Sequence, residues 1–105
     1  MKLDRNKTGD GTGKYALVRL RKVYSENAQA HVARALDELR VGGVVDMGQP
    51  GDDDEFFVIK LKDRYAAQAL FAYAAAARPD DPEYADEIVE LARRATRHPG
   101  SKKPD

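Results

Sequence analysis

Two prolines three residues apart, Pro79 and Pro82, rule out a continuous helix through the C-terminal third of the chain. What flanks them is helical by every local signal. Upstream, Asp63 stands at an N-cap position before Arg64-Tyr65-Ala66 and opens an alanine-dominated run to about Ala77, with Leu70, Tyr73 and Ala77 on one stripe. Downstream, Asp81 followed by Pro82 is the strongest helix start in the chain. The carboxylate accepts from free amides, and proline has no amide needing a partner. The spacing predicts a helix to about Arg97 with Tyr84, Ile88, Leu91 and Ala95 inward. Its acids come early (Glu83, Asp86, Glu87) and its bases late (Arg93, Arg94, Arg97), matching the helix macrodipole. Alanines 66, 67, 69, 72 and 74–77 leave the first of these helices little bulk on any side. Close packing on the next helix is the simplest use of that surface, and it could also support a two-fold dimer.

The N-terminal half reads differently. From Lys14 to Val23 the chain alternates, with Ala16, Val18 and Leu20 on one side and Leu17, Arg19 and Arg21 on the other, which predicts a half-buried strand. Ser25 or Asn27 can cap a helix in which Ala28, Val32, Ala35, Leu36 and Leu39 recur at helical spacing, ended by Gly42-Gly43. Val44–Met47 then reads as a short strand and Gly48–Asp54 as a loop. Glu55–Lys62 reads as a second strong strand, pairing with Val44–Met47 as a hairpin. The expected fold class is therefore α+β, in the order β-α-β-β-α-α, with a three-stranded antiparallel or mixed sheet and helices packed on one face. One domain over 14–98 is expected, between an N-terminal arm over 1–13 and a polar tail over 99–105, leaving about 85 residues to pack.

Composition narrows the function classes. The 105 residues are 34% charged and 42% apolar, as in a soluble globular protein. No apolar run is long enough to cross a bilayer and the first residues lack the apolar centre of a secretory signal, so no membrane role and a cytoplasmic location are expected. With no cysteine there is no disulfide, thiolate nucleophile or cysteine zinc site. The 18 basic and 18 acidic side chains cancel, unlike the bulk basicity of proteins that coat nucleic acid.

No catalytic, cofactor or metal signature emerges. The stretch Thr8-Gly9-Asp10-Gly11-Thr12-Gly13 departs from a phosphate-binding loop, because Thr8 replaces the first glycine, Tyr15 follows Lys14, and the next segment reads as a strand. Asp52-Asp53-Asp54-Glu55 has neither the alternate spacing nor the sixth-position glycine of a calcium loop, and reads as a solvated acidic loop suited to a basic partner. Histidine, the usual base at neutral pH, occurs only as His31, expected partly buried on a helix, and His98 at a helix end. Ser25 and Ser101 lie in no nucleophile motif. A non-enzymatic protein without cofactor is the expectation, and its function should lie in a surface.

That surface is the uncovered face of the expected sheet, displaying Leu17, Arg19, Arg21, Phe56, Val58, Lys60 and Lys62. An apolar centre with a charged rim suits protein contact. Cations interleaved with an aromatic also suit single-stranded nucleic acid, the alternative reading. An ordinary solvated face, with Lys and Arg stems covering Phe56 and Val58, is the plain structural account.

The segments GKYALVRLRK (13–22), EFFVIKLKDRYAAQALFAYAAAA (55–77), EYADEIVELARRA (83–95) and KKPD (102–105) resemble a group of small proteins encoded by bacteriophages and prophages, to which no activity is attached. The resemblance implies an accessory protein in the host cytoplasm that binds a host or phage macromolecule, in the manner of proteins that inhibit host defences. It assigns a role to no residue.

Overall fold

The computed structural model describes Arg5 and residues 13–100. Four helices form among them: α1 (Leu20–Val23), α2 (Ala30–Val41), α3 (Ala66–Ala77) and α4 (Pro82–Thr96). None of the described residues builds a strand paired into a sheet. The expected α+β class is therefore corrected to an all-helical one, and the three strands and the 44–62 hairpin do not form. The arm expected over 1–13 and the tail expected over 99–105 lie, apart from Arg5, Gly13, Pro99 and Gly100, outside the described residues.

The reason for the correction is that alternation specifies a face but not a partner. A strand closes its backbone hydrogen bonds only against a second strand in register. Around Leu20 they close locally instead. The Arg19 carbonyl accepts from the amides of Lys22 and Val23, winding Leu20–Val23 into one helical turn. Leu, Arg and Lys are good helix formers, so the turn costs little. Further on, the amides of Asp52 and Glu55 donate to the carbonyls of Gln49 and Asp52 within the connecting loop and that of Asp63 to Lys60, while 44–49 and 55–60 run without regular structure.

The chain divides into two units, Tyr15–Phe57 and a second that holds Val58 onward. The second is an αα-hairpin of α3 and α4. Asp81 caps α4 as its sequence predicts, its Oδ1 accepting from the Tyr84 amide at 3.1 Å, with Pro82 at the first helical position. The amides of Asp80 and Asp81 donate to the Ala77 carbonyl at 3.0 and 2.9 Å, tightening the end of α3. Asp63 acts earlier than expected. Its Oδ1 accepts from the Tyr65 amide at 2.8 Å and its carbonyl from Ala66, so it forms a turn ahead of α3, whose own N-cap residue is Tyr65.

The two helices meet on small side chains. Ala66 and Ala74 are buried on α3, and Ala85, Ile88, Ala92 and Ala95 on α4, with Leu70, Tyr84 and Val89 packed around them. Alanines at these positions let the helix axes approach closely. Ile88 is the one bulky buried residue of the hairpin. Across the turn, Arg78 Nη1 donates to Asp86 Oδ1 at 2.8 Å, an exposed pair that adds little stability.

In the Tyr15–Phe57 unit, α2 starts at Ala30, after Gln29, with no side-chain cap from Ser25 or Asn27. Leu36 is buried, but Val32, Ala35 and Leu39 of the expected stripe are exposed, as is His31. The C-terminus follows the sequence closely. Gly43 takes φ 76°, its amide donates to Arg40, and the Val44 amide donates to Leu39, closing a Schellman motif that satisfies two end carbonyls of α2. The chain is thereby turned back beside the helix end.

Candidate functional site

Beside that helix end lies an open depression of about 570 Å³, contained within the Tyr15–Phe57 unit. Its lining comes from the last turns of α2 (Asp37, Arg40, Val41), the glycine turn (Gly43), and the irregular segment that follows (Val45, Asp46, Met47, Gln49, Asp52). The surface is thus mixed. Val41, Val45 and Met47 offer apolar contact, and three carboxylates stand around them. One cation is present, Arg40, whose Nη1 lies 3.9 Å from Asp37 Oδ1 in an exposed pair.

Local hydrogen bonds hold the loop. Asp46 Oδ1 accepts from the Gly48 amide at 2.8 Å, and Glu55 Oε1 accepts from the Gly51 amide at 3.0 Å. Gly48 adopts φ 62°, and the Phe56 ring lies so close to it that a Cβ built there would come within 2.4 Å of Phe56 Cε1. Glycine is required at this position twice over, by backbone conformation and by contact. The Phe56 ring is seated on the loop as a result, although the side chain stays half exposed.

The seven residues expected on one sheet face share no sheet. Leu17 and Arg19 lie in the irregular lead-in to α1, Arg21 within it, and Phe56 in the same unit, whereas Val58, Lys60 and Lys62 belong to the hairpin unit. All but Lys62 are exposed. The acidic residues Asp52, Asp53, Asp54 and Glu55 are exposed on turns, and only Asp52 reaches the depression. Asp37, Val41, Val45, Asp46 and Met47 were not legible as a site. The signal that could have marked them is Gly42-Gly43, since a Schellman turn folds the following residues back on the helix end.

Among the described residues no group of three or more His, Asp or Glu is placed to hold a metal ion. No helix among them is long and apolar enough to cross a membrane. The most perturbed side chain is in the hairpin. The Tyr84 phenol is pushed up to about 12 by its hydrogen bond to Tyr73, then by desolvation and the negative charge of nearby Glu87 and Asp81. The two hydroxyl oxygens are 3.1 Å apart and the rings meet edge to face at 6.1 Å. Such a pair orders two side chains and supplies no nucleophile at neutral pH.

The fold and this depression define a small helical chain with a mixed apolar and acidic surface. No family model, no curated protein and no solved structure matches it.

Proposed function

We propose that the protein acts without catalysis, as an accessory protein that binds a host or phage protein through the depression at the end of α2. The observation that supports this is the lining itself: Val41, Val45 and Met47 set among Asp37, Asp46 and Asp52. A partner segment carrying Lys or Arg fits that chemistry, its aliphatic stem lying on the apolar residues and its cation meeting the carboxylates. Val41 is 90% exposed and offers its apolar surface to such a stem. The phage setting comes from the sequence resemblance, and a role in restraining a host factor or defence system follows from that setting. Nucleic-acid binding has less support, because it relied on cations gathered on a sheet face, and the carboxylates of the depression would repel phosphate.

Affinity capture from bacterial lysate tests the reading. The wild-type chain is expected to retain a specific protein that Asp46→Lys combined with Asp52→Lys releases, while Glu90→Lys on α4 keeps it. Retention of nothing specific, or equal retention by the combined variant, would overturn the proposal.

A further inference from the structure

We propose that one side of the α3–α4 hairpin is an interface between two copies of this chain, related by a two-fold axis near Leu91. The inference is independent of the depression on the other unit. α3 carries no charged residue on any face, its only polar side chain being Gln68 and the Tyr73 hydroxyl. A helix apolar all round is normally covered all round. On α3 Ala66 and Ala74 are buried, yet Tyr73, beside that buried stripe, remains 49% exposed.

Helical spacing defines the side in question. On α4, Tyr84, Glu87, Leu91 and Arg94 recur at i, i+3, i+7 and i+10, a stripe adjacent to the buried one of Ala85, Ile88, Ala92 and Ala95. On α3, Ala69 and Tyr73 stand beside the buried stripe in the same way. The Tyr73–Tyr84 contact shows that both stripes flank the seam on one side of the hairpin.

Charge selects the occupant. α4 is acidic in its first half, at Glu83, Asp86 and Glu87; its second half holds Arg93 and Arg94, with Arg97 just past its end, and one acid, Glu90, which lies 3.9 Å from Arg93 and 3.7 Å from Arg97 and leaves that end net basic. A second copy of α4 laid antiparallel sets each acidic half against a basic half. Glu87 and Arg94 are two turns apart, so a two-fold axis midway, at Leu91, pairs Glu87 of each copy with Arg94 of the other. The chain's zero formal net charge leaves no overall repulsion to oppose association.

Light scattering and sedimentation of the full chain test this from about 1 to about 500 µM. The expected mass is twice 11.6 kDa at the upper end. Because Leu91 is half-buried and its replacement could unfold the hairpin, the variants are placed at the rim. Arg94→Glu and Glu87→Arg should each weaken the dimer about tenfold, since the two-fold axis duplicates every change. The combined variant should return to within about twofold of wild type, because it restores opposite signs across the axis. Far-UV dichroism verifies that each variant stays helical. A monomer at every concentration overturns the proposal, as does a dimer indifferent to the single changes or a combined variant no tighter than either one.

Discussion

The two units of this chain use apolar residues in opposite ways. The hairpin has few bulky hydrophobic side chains, yet it buries Ala66, Ala74, Ala85, Ile88, Ala92 and Ala95. The Tyr15–Phe57 unit is richer in large apolar residues and buries only Val23 and Leu36 among those described, leaving Val41, Val44 and Phe57 at 71% exposure or more. The difference shows that burial follows phase rather than hydrophobicity. Alanines in register on two facing helices make a seam, whereas larger side chains out of register make a surface. One unit is organised by its own sequence, and the other carries apolar surface that an external partner could use.

The sharpest way to break this comparison is Ile88→Ala. Removing the hairpin's one bulky buried residue should cost about 3 kcal/mol, read as a fall in the urea midpoint of the helical signal. A change below about 1 kcal/mol would mean that the alanine seam alone holds the helices. Next in size is Gly48→Ala, expected to cost about 2 kcal/mol, because it combines a left-handed backbone with a clash against Phe56. Gly51→Ala is the control. Its φ is 90° but nothing lies within 4 Å of the added Cβ, so it should cost only the backbone part, about 1 kcal/mol. Equal losses in the two variants would show that Phe56 is not seated on the loop.

Asp81→Ala should cost about 1 kcal/mol through loss of the α4 cap, measured by the same denaturation. The smallest effect concerns the tyrosine pair. A phenol whose folded value is about 12, above its unfolded 10.0, adds stability that is complete below pH 10.0 and is lost as pH rises toward about 12. Tyr73→Phe removes the largest cause of that rise. It should therefore flatten the alkaline decline in melting temperature and bring a phenolate absorbance step to lower pH. An unchanged titration would show that the hydroxyl contact does not hold Tyr84 neutral.

How much was legible in the sequence follows from which contacts each element needs. Asp81-Pro82 and Gly42-Gly43 act on amides and carbonyls within a few residues, so both helix boundaries could be read directly. Of the four residues expected inward on α4, Ile88 and Ala95 are buried, whereas Tyr84 and Leu91 are only half-buried. The strands failed because Ala16, Val18 and Leu20 alternate without a partner at matching register, and nothing in their spacing tests for one. The candidate site was hidden for a related reason. Asp37 and Asp46 are nine positions apart, and only the turn at Gly43 brings them to one depression.

The prolines between α3 and α4 have a consequence for how the molecule assembles itself. Joined end to end, the two helices would form a single rod able to trade its second half with a neighbouring chain, the usual route to swapped dimers. Pro79 and Pro82 remove the amides such a rod would need, so the bend survives even before the helices touch. Closing the hairpin then requires only a short loop search, which favours rapid folding through local contacts and leaves any self-association to intact hairpins meeting face to face.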